Sequence, residues 1–143
     1  MNQVRIINGL GDIYQNYEIF ILDQWGVMHN GTAGYSHAIK CVEKIFNDKK
    51  KIIIISNSSK RKKITISNLP KVGFKINNFF EIMTSGEMMW QALLNQNYSE
   101  TKNIGKNCFY IYNEIKGGEE YIKGLEKFNF VRNIHEADFI LGC

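Results

Sequence analysis

The sequence predicts an α/β fold built on a doubly wound parallel sheet. Three short, mostly apolar segments at residues 19–22, 52–55 and 80–83 have the length and composition of buried strands. A helical pattern of apolar residues follows each of them. These patterns lie at residues 38–46, 64–69 and 88–93. Strands and helices that alternate in this way form right-handed β-α-β units around a parallel sheet.

The remaining elements are predicted from the same periodicities. A short amphipathic helix is expected over residues 4–13, before the first strand. A polar stretch at 96–106 lacks apolar periodicity and is predicted to be a linker. It would join a domain at 1–95 to residues 107–143, which form the beginning of a second domain. Within this second part we expect a strand at 108–112, a helix at 119–128 and a strand at 139–141.

Composition and charge argue against several classes of function. The 143 residues have a net charge of +4 and 22% charged residues, which is too little for a nucleic-acid-binding surface. No apolar run approaches the roughly 20 residues that cross a bilayer, and the N-terminus lacks a signal-peptide pattern. We therefore expect a cytoplasmic protein without nucleic-acid or membrane partners. Cys41, Cys108 and Cys143 are too widely spaced for a disulfide framework or a metal site and are expected to be reduced thiols.

Polar residues follow the first three predicted strands at the points where the strands stop. Asp23 follows the first strand, Ser56 and Asn57 follow the second, and Thr84 and Ser85 follow the third. In a parallel sheet the carboxyl ends of the strands share one edge, and ligands bind there. The sequence therefore predicts a functional site to which all three strand ends contribute.

Asp23 has the position of a nucleophile. A carboxylate at a strand end, followed by a glycine-containing loop, can attack phosphorus and form an aspartyl-phosphate intermediate. Phosphoryl transfer also needs hydrogen-bond donors around the phosphoryl oxygens, which Ser56, Asn57 and the amides after Asp23 would supply. An aspartate after a strand is also a common turn or cap residue, so the spacing alone leaves a structural interpretation open.

Three segments resemble motifs of one known family. Residues 19–31, IFILDQWGVMHNG, are similar to the first motif of the haloacid dehalogenase superfamily, in the form used by its class IIA branch of nitrophenylphosphatase-like enzymes. Residues 52–58, IIIISNS, resemble the second motif, and residues 82–87, IMTSGE, resemble the strand-to-helix step that follows. The sequence DQWGV at residues 23–27 resembles the first motif of one bacterial subgroup of class IIA.

The resemblance implies a Rossmann-like core and a role for each matched residue. Asp23 would be the nucleophile and a ligand of Mg²⁺, which the backbone carbonyl of Trp25 would also face. Ser56 and Asn57 would hold the phosphoryl group, together with the backbone at Trp25 and Gly26. Magnesium is thus the expected cofactor.

Two departures from the family pattern bear on activity. The residue two after the nucleophile is usually an aspartate that protonates the leaving group, and here it is Trp25, whose indole is a nonacidic donor. His29 is the candidate substitute acid, because histidine titrates near neutral pH. The lysine and the acidic motif that follow the cap in this family do not occur in the 143 residues. Residues 107–143 resemble the start of the inserted α/β cap, so we expect the N-terminal part of a longer protein.

The leading hypothesis is a magnesium-dependent phosphatase that acts on a small phosphorylated metabolite through an aspartyl-phosphate at Asp23. Activity is expected of the full-length parent, since this chain lacks the later motifs. The alternative is a catalytically silent module that binds or senses a phosphate ligand. A receiver-like signalling domain fits poorly, because it needs more acidic residues near the first strand than Asp12. The sequence leaves the formation of a homo-oligomer open.

Overall fold

A computed structural model describes residues 6–114 and 118–143 of the chain. The strands are β1 (Ile19–Leu22), β2 (Lys51–Ser56), β3 (Glu81–Thr84), β4 (Asn107–Ile111), β5 (Asn129–Val131) and β6 (Phe139–Gly142). The helices are α1 (Ser36–Asn47), α2 (Lys62–Asn68), α3 (Ser85–Asn95) and α4 (Ser99–Lys102). The chain divides into two compact units, which are described one at a time.

A parallel sheet is the centre of the first unit, which contains residues 6–56 and Ile66–Ile82. β1 and β2 run in the same direction, from Ile19 opposite Lys51 to Leu22 opposite Ile54. β3, which begins in this unit, is the next strand in the order β1-β2-β3. Strands and helices therefore form the α/β, Rossmann-like arrangement that the sequence predicted.

Apolar residues on α1 and β2 form the core of the first unit. Ala38, Val42 and Ile45 occupy positions i, i+4 and i+7 of α1, so they lie on one face of the helix and are buried. They belong to the same cluster as Ile52 and Ile54, both of which are 0% exposed. This cluster holds β1 and β2 in place.

Burial along β1 and β2 is more one-sided than the sequence predicted. Phe20 is buried in β1, whereas its neighbours Ile19 and Ile21 are 52% and 63% exposed. In β2 the final isoleucine, Ile55, is 52% exposed. Continuous apolar runs predicted strands buried on both faces, but the described residues cover only one face fully, and alternate side chains point to opposite faces.

The second unit, Asn57–Thr65 with the described part of Met83–Cys143, has a parallel sheet of its own. Its strand order is β5-β4-β6, and both outer strands run parallel to β4. The apolar core comprises Leu93, Cys108, Tyr121, Leu125, Phe128 and Leu141. Burial raises the pKa of the Cys108 thiol to about 11, so this thiol stays protonated and packs as a small apolar group. Cys41, Cys108 and Cys143 are all free in the structure.

Two predicted helices are wrong. The segment at 119–128 contains only the 3₁₀ turn Gly118–Tyr121, because Gly124 has φ 92° and leaves room for Trp90; a Cβ at Gly124 would lie 2.6 Å from the indole. Strand β5, which follows directly, was not predicted. Among the described residues before β1 the only helical features are the 3₁₀ turns Leu10–Asp12 and Tyr14–Asn16, and residues 4 and 5 of the predicted helix lie outside the description.

The predicted domain limits stay predictions.

No helix within residues 6–114 and 118–143 is long and apolar enough to cross a membrane.

Core packing at β2 is testable with two neighbouring isoleucines. Ile54→Ala removes a side chain that is 0% exposed and leaves a cavity, so we expect the free energy of unfolding to fall by about 2–5 kcal/mol. Ile55→Ala makes the same chemical change at a side chain that is 52% exposed, and it should cost about 0.5 kcal/mol or less. Urea unfolding followed by circular dichroism measures both. Equal losses would contradict the one-sided burial of β2.

Candidate active site

Asp23 lies at the carboxyl edge of the β1–β2 pair. The last residue of β1, Leu22, is opposite Ile54, so the chain leaves the strand at the exposed Asp23. If the same register continues for two residues, Gln24 comes opposite Ser56, the last residue of β2. The first unit therefore brings the predicted nucleophile and one predicted phosphate-binding residue to the same edge.

The loop after β1 is closed by its own backbone. The three amides of residues 27–29 donate to the carbonyl of Gln24 at 3.3, 2.8 and 3.3 Å. The Gly26 amide donates to the His29 carbonyl at 2.9 Å, and Gly26 adopts a positive φ of 77°. Met28, 1% exposed, anchors the turn in the core. To use the Gly26 amide, a phosphoryl oxygen would have to replace the His29 carbonyl as its acceptor.

His29 is held inside this loop through both ring nitrogens. The Gly31 amide donates to Nδ1 at 3.0 Å, which assigns the proton of the neutral ring to Nε2. Nε2 lies 3.4 Å from the side-chain oxygen of Gln24. Burial lowers the pKa of His29 below its usual value, and the charge of Asp23 opposes that shift only in part. His29 is therefore mainly neutral at pH 7, and its role as an acid stays a prediction.

Trp25 presents its indole at the surface of the loop. The residue is 66% exposed, and its ring meets the His29 ring edge-on, with 5.8 Å between the ring centroids. The indole also lies on the backbone of Gly31, where a Cβ would come within 2.3 Å of it and φ is 94°. Only glycine suits that position. Within this described loop, the turn amides use the carbonyls of Gln24 and His29, and none of them donates to the Trp25 carbonyl.

The second unit contains the other predicted site residues. Asn57 is exposed and is the first residue of that unit. Thr84, 1% exposed, donates its hydroxyl to the Lys60 carbonyl at 2.6 Å and accepts from the Glu87 amide at 3.0 Å. Thr84 is thus the N-cap of α3. Its hydroxyl supports the fold, whereas the side chain of Asn57 faces solvent.

Sequence reasoning missed Glu87 and Arg61. Glu87 is 4% exposed, and its carboxylate accepts from Arg61 Nε at 2.7 Å, from the Lys62 amide at 3.1 Å and from Gln91 Nε2 at 3.1 Å. The guanidinium of Arg61 lies over Trp90, with its central carbon 3.6 Å from the ring centroid. These contacts join the segment after Asn57 to α3.

A sequence signal for half of this arrangement was available. A threonine followed three residues later by glutamate, ahead of an apolar run, is the pattern of a capping box at a helix N-terminus. Thr84 and Glu87 have that spacing. Nothing local indicates that the Glu87 carboxylate bonds to Arg61, which lies 26 positions earlier in the chain.

The oxygen atoms at the edge of the first unit are of the type that Mg²⁺ prefers as ligands. Mg²⁺ binds one or two carboxylates together with other oxygens and several waters. The Asp23 carboxylate and the Trp25 carbonyl are such oxygens. The described residues contain no group of three or more histidines, cysteines, aspartates or glutamates that could hold a metal ion by itself. These residues therefore fit part of a magnesium site.

Comparison with known proteins decides the family. The family model described as haloacid dehalogenase-like hydrolase matches residues 20–130, which is more than half of the chain and includes Asp23 and Asn57. The chain belongs to the haloacid dehalogenase-like hydrolases. A search of curated proteins finds no match.

Solved structures share the fold of this haloacid dehalogenase-like chain. A haloacid dehalogenase-like hydrolase from Brucella suis 1330 matches 96% of the chain with a TM-score of 0.77 and 22% identity. A hypothetical protein from Pyrococcus horikoshii OT3 matches 88% with a TM-score of 0.55 and 17% identity. The chain spans 46% and 41% of those two proteins, which is less than half of either.

The Glu87 carboxylate makes stability depend on pH. Burial alone would raise its pKa, but the bonds from Arg61 and the Lys62 amide outweigh burial and hold the pKa below its ordinary value of 4.5. A depressed pKa in the folded state adds stability above the unfolded value, and this stability is lost as the pH falls through the folded value. We expect Glu87→Gln to lower the free energy of unfolding by about 3 kcal/mol at pH 7, and by less as the pH drops below 4.5.

Glu43→Gln is the matched control for that substitution. Glu43 pairs with Lys75 at 2.9 Å, but the two side chains are 40% and 74% exposed, so its removal should change the free energy of unfolding by at most about 1 kcal/mol. Urea unfolding at pH 7 and pH 3 measures both variants. A Glu87→Gln effect of the same size at the two pH values would show that the carboxylate charge is not its source.

Proposed function

We propose that this haloacid dehalogenase-like chain is the N-terminal part of a class IIA phosphatase of small phosphorylated metabolites. The observation that carries the proposal is the exposed carboxylate of Asp23, one residue beyond the paired end of β1 and at the same edge as the end of β2. The parallel sheet β5-β4-β6 in the second unit supports the assignment of an α/β cap to residues 107–143.

In the proposed reaction Asp23 is the nucleophile. A carboxylate oxygen of Asp23 forms a bond to phosphorus as the bond between phosphorus and the leaving-group oxygen breaks. The leaving oxygen then takes a proton and departs as an alcohol. A water molecule next attacks the aspartyl-phosphate, releases inorganic phosphate and restores the carboxylate. Ser56 and Asn57 donate hydrogen bonds to the phosphoryl oxygens.

Magnesium is the proposed cofactor. When bound, it would offset the repulsion between the negative charge of the phosphoryl group and that of the Asp23 carboxylate. The Asp23 carboxylate and the Trp25 carbonyl are the residues of this chain that would hold it. A site with a single carboxylate binds Mg²⁺ weakly, which agrees with a need for the acidic motif expected after the cap.

Trp25 predicts slow turnover. General acid–base help accounts for about 10²–10⁴-fold in rate, and an indole supplies none near neutral pH. His29 is mainly neutral, and its Nε2 proton lies 3.4 Å from the side-chain oxygen of Gln24. As a donor, His29 would have to leave that oxygen, so water is the simplest proton source for the leaving group.

The nucleophile can be tested without turnover. Beryllium fluoride with Mg²⁺ adds to a carboxylate and mimics an aspartyl-phosphate, so ¹⁹F NMR should detect bound fluoride on the chain but not on Asp23→Asn. Asp48→Asn, at an exposed carboxylate 3.3 Å from Lys44 Nζ, is the control and should bind as wild type does. Equal signals from wild type and Asp23→Asn would sink the assignment of Asp23.

A second candidate function is a silent module that binds a phosphate ligand. Trp25 favours it, because its exposed indole lacks an acid but offers a face on which a ligand ring can stack. In this case the chain binds phosphate analogues without hydrolysing phosphate esters.

Trp25→Asp separates the two functions. The new carboxyl group, two residues after Asp23, should raise hydrolysis of p-nitrophenyl phosphate by about 10²-fold or more in the presence of Mg²⁺. Trp25→Phe removes the indole N–H without adding an acid and serves as the control. Measurable turnover by wild type supports the phosphatase, whereas turnover by Trp25→Asp alone supports the silent module. No gain in Trp25→Asp would contradict the explanation of slow turnover given for Trp25.

A further inference from the structure

Residues 58–62 are bonded along their length to the start of α3. The Gly86 amide donates to the Ser58 carbonyl at 3.0 Å, and the Thr84 hydroxyl donates to the Lys60 carbonyl at 2.6 Å. The Lys62 amide donates to the Glu87 carboxylate at 3.1 Å. Backbone groups of alternate residues in this segment are thus bonded to three residues at the start of one helix. We call Thr84, Gly86 and Glu87 the brace.

Close packing between the segment and the brace leaves no space for adjustment. A Cβ at Gly86 would lie 1.9 Å from the carbonyl oxygen of Ser59 and 2.7 Å from that of Lys60. Both contacts are with backbone atoms, which cannot rotate away as a flexible side chain can. The brace therefore determines the path of the segment by shape as well as by hydrogen bonds.

A second layer of contacts supports the brace. Arg61, bonded to Glu87, stacks on Trp90, and the indole N–H of Trp90 donates to the Lys123 carbonyl at 3.1 Å. The Tyr121 hydroxyl donates to the Gly86 carbonyl at 2.7 Å. These side chains keep the start of α3 and the segment together inside the second unit.

Both chain neighbours of Asn57 are held in place. The residue before it, Ser56, ends β2, and the residue after it, Ser58, is bonded to Gly86. Asn57 itself is exposed. A polar side chain between two anchored neighbours has little backbone freedom left to lose when it binds a ligand, which raises affinity.

We propose that the brace positions Asn57 to bind the phosphoryl group. This inference rests on the proposed function for the identity of the ligand, while the positioning itself follows from the contacts of residues 58–62. Capping of α3 alone does not account for the contacts. A capping threonine needs only to accept from the helix amide, yet Thr84 also donates to Lys60, and the Glu87 carboxylate bonds to Arg61 and Lys62.

Thr84→Val and Thr84→Ser form the central pair of variants. Valine matches threonine in shape but lacks the hydroxyl, whereas serine keeps it. Inorganic phosphate is titrated into the ¹⁵N-labelled chain with Mg²⁺ present, and the Asn57 signals report binding. We expect Thr84→Val to weaken phosphate binding by about tenfold, because a displaced Asn57 side chain would no longer be aligned with the phosphate oxygens. Thr84→Ser should retain most of the affinity.

The order of Asn57 is measured separately, without phosphate. Heteronuclear NOE values for residues 57–60 should fall in Thr84→Val, and also in Glu87→Gln, which loses the charge that holds Arg61. Glu43→Gln should leave these values unchanged. Glu87→Gln supplies the same readout if Thr84→Val does not fold. A purely structural cap would increase hydrogen exchange in α3 and leave the order of Asn57 and its affinity for phosphate unchanged.

The outcomes separate this inference from the proposed function. Loss of order at Asn57 together with weaker phosphate binding supports positioning by the brace. If wild type, Thr84→Val and Glu87→Gln bind phosphate equally well and the NOE values at Asn57 are unchanged, the positioning role of the brace is wrong and the proposed function stands. If wild type binds no phosphate, the proposed function fails and so does the phosphate-binding role of Asn57, whatever the NOE values show for its order.

Discussion

The parallel pairing of β1 with β2 is the constraint on which the rest of the candidate site depends. Because both strands run in the same direction and Leu22 is opposite Ile54, Asp23 and Ser56 lie at the same edge of the sheet. An antiparallel pair would send Asp23 and Ser56 to opposite edges. The pairing itself depends on buried isoleucines in β2 that pack against α1, so a site of polar residues is maintained by the apolar core beneath it.

The two candidate loops are held by different means. After β1, three consecutive amides share the carbonyl of Gln24, so the loop is stabilised by its own backbone. In the segment after Asn57, the start of α3 supplies partners to residues 58–62, and these partners include the buried carboxylate of Glu87. A charged group is used there because a carboxylate can accept from several donors at once and bonds more strongly than a neutral acceptor. Both devices limit the motion of residues that would contact a phosphoryl group.

The loop around Trp25 combines family chemistry with a local departure from it. Under the proposed function Asp23, which follows the last residue of β1, is the nucleophile. The groups around it are poor proton donors: Trp25 is not acidic, and His29 is mainly neutral with both ring nitrogens in contact with the loop. The indole instead fills the space above Gly31 and exposes a face. Under the proposed function, the loop therefore favours binding of a phosphoryl group over its rapid hydrolysis.

Local patterns in the sequence determined most elements that position the site. Apolar runs predicted β1 and β2, a helical stripe predicted α1, and the abrupt change to polar residues made Asp23 and Asn57 candidates for the site. Only the tertiary structure decided which strand faces are covered, why Gly124 interrupts a predicted helix beside Trp90, and that Glu87 bonds to Arg61. The reason is physical: periodicity and strand ends are properties of neighbouring residues, whereas burial and ion pairing depend on groups that meet only after the chain has folded.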